Sequence, residues 1–469
     1  MYTVTDLGTM DGSSSESTGI NSLGQVIGNS GIHSFRTAPN TPIDLTNNDL
    51  GRSYCVDGTP TNPPEVGCLS FSSAYGINNL GQVAGGLEVG LGVNDFLAFR
   101  TAPNSQITGQ NELQRNATIA TAINSRGQTL VIVPYVESYR TPANRLGYRF
   151  NQFGQNLGSL APEGHPVGVG RTDAFGINDL GQAVGASDLG IEPFGSNFHA
   201  FRTTPNHPIN PVTDDLGTLG GSVSYAYGIN VFGQVVGNAS TSGDATFRAF
   251  RTSPNSPINS ATDDLGTLGG SYSGATSINN YGQVVGWSSL VGDAVQHSFI
   301  YGGGAMHDLN NLVSPEGDCE IVGAQAGGYS PLTPHINDRG QIAANRICNG
   351  QQHAVLLTPI YEAFIQQPIN PDGSSVFAPR RGVVPVKFTL AQQGTSTCDL
   401  PPATITLTRI AGRRLFAVQP SGGSGFGIDQ AACQYAYSLG ASQLGAGTYR
   451  VDISINDIFV GHAVFALRK

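Results

Sequence analysis

Charged residues are scarce in this sequence, and lysine is almost missing. Only 12% of the 469 residues are charged, and Lys387 and Lys469 are the only lysines. The formal net charge is -10, and no basic cluster of the kind that binds a phosphate backbone is present. Nucleic acid is therefore not an expected partner.

Long apolar runs are also missing. Hydrophobic residues make up 39% of the chain, but no uninterrupted run is long enough to span a bilayer. The chain opens on MYTVTDLG, which alternates like a strand and lacks the basic and apolar regions of a signal peptide. We expect that any secretion signal has been removed or was never included.

Cysteine is limited to six residues, and none of them forms a Cys-x-x-Cys motif. Zinc sites favour closely spaced ligands, so disulfides formed in an oxidising compartment are the better interpretation. Neighbours along the chain predict the pairs Cys55–Cys68, Cys319–Cys348 and Cys398–Cys433. We therefore expect an extracellular or cell-surface protein, and no metal or other cofactor.

What the sequence has in abundance is one repeated motif. GINDLGQAVG and six altered forms of it give seven copies, 46 to 58 residues apart. Its asparagines are Asn21, Asn78, Asn124, Asn178, Asn230, Asn279 and Asn337. This period is close to the roughly 40–50 residues of a four-stranded propeller blade.

The sequence of each copy predicts four short strands. Asn-x-x-Gly predicts a hairpin around a type I turn, with asparagine bonding its own backbone and glycine taking a positive φ. A strand such as HAFR, a proline turn such as TTPN and a strand ending in Asp-Leu-Gly follow. The pattern predicts a seven-bladed β-propeller over residues 1–358. Residues 2–8 are expected to complete the last blade beside residues 353–358, which removes the open edges.

The repeats carry a family resemblance. The segment DLGTLGGSVSYAYGINVFGQVVG, together with HAFRTTPN, resembles the HAF family of probable extracellular repeats over about residues 1–358. The resemblance implies a secreted or surface-anchored bacterial protein with tandem β-rich repeats. It supplies no functional residues, because the family has no established common activity. The third copy, AINSRGQTLV, diverges most from the pattern.

A different pattern follows residue 358. Residues 359–374 read as a linker and first strand region, and the short strand-like runs of 375–469 predict an Ig-like β-sandwich. RGVVPVKFTL, with Pro385, Lys387 and Phe388, resembles the PxKF domain at the C-terminal ends of bacterial extracellular proteins.

The histidines are the first candidates for chemistry. A structural role is expected for the four that recur at one position of the repeat, because a repeated residue does not form one asymmetric site. These four are His33, His199, His297 and His353. His335 instead replaces the small residue found before isoleucine in the other six copies. It is therefore the candidate for a ligand-binding residue that projects into a central channel, and the alternative is a loop histidine exposed at a rim.

Two pairs of adjacent acids are the only candidates for a cation site. These pairs, Asp214/Asp215 and Asp263/Asp264, lack the Asp-x-Asp-x-Asp-Gly pattern of a calcium loop. Capping of the following turn is the expected role.

Three functions fit these observations. The preferred one is a binding or adhesion scaffold for a polysaccharide or surface protein, since the sequence contains no evident catalytic set. One alternative is a polysaccharide lyase or glycoside hydrolase with its site at the channel mouth. The other is a self-associating subunit of a surface layer or filament. Insertions at 52–68 and 313–334 are expected to form binding loops.

Overall fold

The computed structural model describes residues 1–51, 71–88, 96–107, 113, 118–133, 137–143, 154–161, 170–190, 197–323, 333–378, 382–412, 414–420 and 423–468. These residues are built from β-strands, with short 3-10 helices at Ser242–Asp244 and Leu309–Leu312. The all-β class expected from the sequence is confirmed.

Two compact units divide the described chain. The unit that holds the repeats, called the ring unit below, contains residues 4–301 and 306–357. The C-terminal unit contains residues 358–469 together with 1–3 and 302–305.

Strands β1 to β25 follow the repeated motif. The first to third copies contain β1 (Tyr2–Asp6), β2 (Glu16–Ile20), β3 (Val26–Ser30), β4 (His33–Arg36), β5 (Ser72–Ile77), β6 (Val83–Glu88), β7 (Phe96–Arg100), β8 (Ile119–Ile123), β9 (Thr129–Val133), β10 (Glu137–Arg140) and β11 (Gln155–Asn156). The fourth and fifth contain β12 (Thr172–Ile177), β13 (Ala183–Asp188), β14 (Phe198–Arg202), β15 (Gly220–Ile229), β16 (Val235–Thr241) and β17 (Phe247–Arg251). The last two contain β18 (Gly269–Ile278), β19 (Val284–Leu290), β20 (Gln296–Gly302), β21 (Ala305–Asp308), β22 (Glu320–Val322), β23 (His335–Ile336), β24 (Ile342–Cys348) and β25 (Gln351–Pro359).

Each of the first five copies forms its own antiparallel sheet. The sheets are β2-β3-β4, β5-β6-β7, β12-β13-β14 and β15-β16-β17, and the third copy adds a strand to give β8-β9-β10-β11. The last two copies share one sheet, in which β22 lies between β20 and β24. That extra strand comes from the 313–334 insertion, so the insertion joins two copies that the sequence predicts as separate blades.

The fourth strand of several copies is shorter than the sequence predicts. In the first, fourth and fifth copies the Asp-Leu-Gly segment makes only an isolated bridge, as between Phe201 and Asp215. The glycine that follows has a positive φ, for example 71° at Gly217, and the chain leaves the sheet there.

The N-terminal strand lies where the sequence places it. Strand β1 is the neighbour of β25 in the shared sheet of the last copies. The backbone N–H of Leu7 donates to the carbonyl oxygen of Ala354 at 3.0 Å. This strand supplies the partner that the last copy lacks in its own sequence.

A separate apolar core fills each junction from the first copy to the sixth. Val184, Ala200 and Leu216 of the fourth copy pack with Val235 and Phe250 of the fifth. A core of the same kind joins the last copy to the first, with Leu7, Val26, Phe35, Ala343, Ala354 and Leu356. Consecutive copies therefore stabilise one another by burying shared apolar surface.

The C-terminal unit consists of two five-stranded sheets. Its strands are β26 (Tyr361–Gln366), β27 (Val376–Phe377), β28 (Val383–Gln392), β29 (Thr395–Thr397), β30 (Ala403–Ala411), β31 (Arg414–Val418), β32 (Gly427–Asp429), β33 (Gln434–Gly440), β34 (Gly447–Ile455) and β35 (Ile458–Leu467). One sheet has the order β26-β28-β33-β32 with β29 beside β28, and the other has the order β27-β35-β34-β30-β31. Because β26 lies within residues 359–374, that segment belongs to the first sheet and is more than a linker.

The core of this unit lies between strands that alternate buried and exposed residues, as β30 and β33 do. Phe388 stacks on Tyr435 with 4.3 Å between ring centroids, and Phe426 meets Phe388 edge-on at 4.9 Å. The Cys398–Cys433 disulfide is formed in this unit. No described helix is long and apolar enough to cross a membrane.

Candidate binding site

The asparagine of each repeat is a buried side chain that uses its full hydrogen-bonding capacity. In the fourth copy, Asn178 Oδ1 accepts from the backbone N–H groups of Leu180 at 3.1 Å and Gln182 at 3.0 Å. Its Nδ2 donates to Gln182 Oε1 at 2.9 Å. Gly181, with φ of 79°, donates its N–H to the Asn178 carbonyl oxygen and closes the turn. Only an amide offers two acceptor and two donor positions here.

The remaining donor of each asparagine crosses to the next copy. Nδ2 donates to the backbone carbonyl oxygen of the following asparagine at 2.9–3.1 Å, in the order Asn21, Asn78, Asn124, Asn178, Asn230, Asn279 and Asn337. Asn337 Nδ2 then donates to Asn21 O at 2.9 Å, across 316 residues of sequence. The seven hydrogen bonds form a closed ring, called the asparagine ring below.

Other repeated polar residues make further links between neighbouring copies. Gln182 Nε2 donates to Asn255 Oδ1 at 3.3 Å, and Gln341 Nε2 donates to Asn40 Oδ1 at 2.8 Å across the junction of last and first copies. Arg202 Nη1 donates to the Ser256 carbonyl oxygen at 2.9 Å, and burial lowers the pKa of this arginine. These side chains stabilise the contacts between copies, and these hydrogen-bonding groups are therefore already used within the protein.

The four repeated histidines bond to the aspartates of the Asp-Leu-Gly segments. The pairs are His33–Asp49 at 3.0 Å, His199–Asp215 at 2.9 Å, His297–Asp308 at 2.7 Å and His353–Asp6 at 2.9 Å. Burial raises the pKa of Asp215, but hydrogen bonds from His199 and the Gly217 N–H outweigh it, so this pKa is lowered. Each pair ties the third strand of a copy to its Asp-Leu-Gly segment.

The third copy replaces both members of this pair together. Glu137 stands at the histidine position and Asn156 at the aspartate position, and Asn156 Nδ2 donates to Glu137 Oε2 at 2.6 Å. Asn156 Oδ1 also accepts from the Gly158 N–H, as the aspartates do in other copies. This paired exchange is the signal in the sequence that could have revealed the histidine–aspartate contact.

The exchange predicts a coupled response to mutation in the third copy. Asn156→Asp alone places two carboxylates in contact and is expected to lower stability at pH 7, while Glu137→His with Asn156→Asp is expected to restore it. The coupling energy should be on the order of 1 kcal/mol. Urea unfolding of the wild type, Asn156→Asp, Glu137→His and the double variant measures it, followed by the fluorescence of Trp287, the only tryptophan. Additive effects of the two changes would contradict the pairing.

A cavity of about 180 Å³ lies at the asparagine ring. Every copy contributes three consecutive residues to its wall, namely isoleucine, the ring asparagine and the residue after it. The isoleucines and asparagines are the same in all seven copies. The third residue differs, and these seven positions are called the rim below: Ser22, Asn79, Ser125, Asp179, Val231, Asn280 and Asp338.

The rim is itself ordered by hydrogen bonds between copies. Asp179 Oδ1 accepts from the Ser125 N–H at 2.8 Å, and Asn79 Oδ1 accepts from the Ser22 N–H at 3.0 Å. Asp338 accepts from both the N–H and the Nδ2 of Asn280. The rim therefore combines hydroxyl, amide and carboxylate groups, with one valine, around a wall of isoleucine and asparagine.

His335 lies on β23, where it pairs in register with Ala343 and is half-buried. Its neighbour Ile336 lines the cavity, and His335 is not among the lining residues. A binding role for His335 stays a prediction.

The tandem acids are used inside their own loops. Asp214 Oδ2 accepts from the Asn210 N–H at 2.9 Å, and Asp263 Oδ2 accepts from the Asn259 N–H at 2.8 Å. Within the described ranges, no group of three or more His, Cys, Asp or Glu side chains is placed to hold a metal ion.

One disulfide closes the insertion of the sixth copy. Cys319 and Cys348 are bonded, and their Cα atoms are 4.2 Å apart. The predicted Cys55–Cys68 pair and its loop lie outside the described residues.

The sequence matches no family model, and no curated protein matches it.

Proposed function

We propose that this chain is a secreted or cell-surface bacterial binding scaffold that recognises a polysaccharide or a surface protein. In this proposal residues 1–358 form a seven-bladed β-propeller of the HAF type, and residues 375–469 form an Ig-like, PxKF-type β-sandwich. The closed asparagine ring and the pairing of β1 with β25 support the propeller. The two disulfides are compatible with an extracellular location.

One observation carries the binding role. The polar side chains that repeat, including the ring asparagines, the glutamines and the histidine–aspartate pairs, are bonded within the scaffold. Recognition must then depend on positions where the copies differ, and the rim is one such set around a cavity. A rigid frame with varied polar groups at defined positions suits binding, because little conformational entropy is lost when the ligand is bound.

A binding screen on the disulfide-intact protein tests this proposal. An array of polysaccharides and oligosaccharides is probed, and release of reducing ends is followed in the same wells. Binding without turnover is the expected result. Turnover would replace the scaffold proposal by the enzyme alternative.

Sedimentation of the same protein tests the structural alternative. A monomer at high concentration is expected. Assemblies that grow with concentration, together with no binding on the array, would favour a filament or surface-layer subunit.

A further inference from the structure

A ladder of aromatic rings occupies the junction between the fourth and fifth copies. Phe198 and Tyr225 stack with centroids 6.1 Å apart, Tyr225 and Tyr227 stack at 6.4 Å, and Tyr227 meets Phe175 at 5.4 Å. Both tyrosines and Phe175 are partly exposed, whereas Phe198 is buried. These four rings are called the aromatic ladder.

Two of these rings stand at β-bulges. The register of β12 with β13 shifts between Ala174 and Gly176, and that of β15 with β16 shifts between Ala226 and Gly228. The residues left out of register are Phe175 and Tyr227. The same bulge recurs in the first, second, third and sixth copies, so it belongs to the repeat, and what varies is the side chain that it presents.

The ladder is not required by the repeat. The position of Tyr227 is held by threonine in three other copies, at Thr18, Thr121 and Thr276. The position of Tyr225 is held by serine in the second copy, at Ser73, and by glycine in the sixth, at Gly274. The scaffold therefore closes without these rings, and their presence at this junction needs another reason.

A charged pair lies beside the ladder. Arg171 Nη2 is 2.6 Å from Asp173 Oδ2, and the guanidinium lies over the Phe198 ring, 5.5 Å from its centroid. Asp173 is only 5% exposed, and its Oδ1 has no hydrogen-bond partner among the described residues. A buried carboxylate oxygen without a donor is costly, so a donor from outside the chain would stabilise it.

The carboxylate is electrostatically coupled to the ladder. Burial raises the pKa of Tyr227, and the charges of Tyr225 and then Asp173 add smaller increases. Burial is also the largest cause of the raised pKa of Tyr225, where Arg171 opposes Asp173. The tyrosines are therefore neutral, and the Arg171–Asp173 pair has no net charge.

We propose that the aromatic ladder with Arg171 and Asp173 is a binding site for the ring of a neutral sugar. The C–H face of a pyranose packs on a flat, partly exposed aromatic ring, and its hydroxyls bond to a carboxylate and a guanidinium. Aromatic walls with a few fixed polar groups are the usual composition of a ligand site. Asp173 Oδ1 accepts from a sugar hydroxyl. The inference rests on the proposed function and specifies that the ligand is a polysaccharide and not a surface protein.

Neutral hexasaccharides test the site on the full chain. Maltohexaose, cellohexaose and mannohexaose are titrated into the protein, and saturation-transfer NMR identifies the sugar protons nearest to the aromatic rings. At least one oligosaccharide is expected to bind through its pyranose C–H face. Tyr225→Ser with Tyr227→Thr should weaken that binding about tenfold or more. Both replacements occur at the same positions elsewhere in the chain, so the variant is expected to fold.

Two control variants separate a binding role from a packing role. Tyr75→Thr makes the same change at the bulge of the second copy and should leave the affinity unchanged. Tyr227→Phe keeps the ring face and should retain most of the binding. Folding of each variant is checked by Trp287 fluorescence.

The outcomes that overturn the inference are distinct from failure of the proposed function. If the Tyr225→Ser, Tyr227→Thr variant still binds the oligosaccharide, the aromatic ladder is not the binding site, but the protein is still a glycan-binding scaffold. If the protein binds only an acidic oligosaccharide such as a galacturonate hexamer, or binds no oligosaccharide, the proposal of a neutral-sugar site is wrong. Absence of binding to every glycan on the array would contradict the polysaccharide form of the proposed function itself.

Discussion

Replacement of Asn178 by aspartate is expected to lower the free energy of unfolding of the ring unit by about 3–5 kcal/mol at pH 7. A carboxylate accepts from the Leu180 and Gln182 N–H groups as the amide does. It has no hydrogen to donate to Gln182 Oε1 or to the Asn230 carbonyl oxygen, both 2.9 Å from Nδ2. The variant therefore places a buried charge against two acceptors and opens the asparagine ring.

The loss is expected to depend on pH. Because the buried site disfavours the charged form, the pKa of the introduced aspartate is higher in the folded than in the unfolded protein. The penalty is complete above the folded pKa and shrinks as the pH falls through it, since the protonated group regains one donor. Urea unfolding of variant and wild type, each at pH 7 and at pH 4, measures the difference.

Asp179→Ser is the matched control for this prediction. Asp179 is the rim residue that follows Asn178. Serine holds the same rim position in the first and third copies, at Ser22 and Ser125. Only a small loss is expected, from the bond that Asp179 accepts from Ser125 N–H. Equal losses for Asn178→Asp and Asp179→Ser would argue against a special role for the asparagine ring.

The second large effect is expected where the last copy meets the first. Leu7→Ala should destabilise the ring unit by about 2–5 kcal/mol. Leu7 is 1% exposed and packs with residues of both the first and the last copies, including Phe35 and Leu356. Removing its side chain leaves a cavity in the core that joins the two ends of the repeat region.

Leu23→Ala is the control, because Leu23 lies in the first-copy turn and is 43% exposed. Its loss of stability should be small. Trp287 lies in the sixth copy, so its fluorescence reports whether damage near Leu7 spreads through the ring unit. A Leu7→Ala variant that unfolds at the wild-type urea concentration would contradict the packing of β1 against the last copy.

The turn was readable from the sequence because its determinants are local. Asparagine at the first position and glycine at the fourth select one backbone geometry, and seven copies of the pattern predict seven similar hairpins. Strand alternation likewise predicted an all-β chain. The partner of the last copy was readable too, because β1 carries the segment that the last copy lacks.

Other features depended on side chains that are distant in sequence. The sequence around Asn337 does not predict that its Nδ2 donates to the Asn21 carbonyl oxygen. That contact requires each intervening copy to be rotated relative to the preceding one by a compatible angle. The aromatic ladder is not predictable from the sequence for the same reason, since Phe198 and Tyr225 belong to different copies. The Asp-Leu-Gly segments are shorter than the predicted strands, because strand propensity does not reveal where a positive-φ glycine ends the pairing.

The sequence by itself determined the repeat, its turns, the β-class and the order of strands within each copy, because these follow from short-range backbone preference and alternation. Only the tertiary structure decided which side chains of different copies meet: the closed asparagine ring, the rim and the ladder beside Asp173. Those contacts depend on how successive sheets pack and twist against each other, which is a property of the assembled copies and not of any one motif.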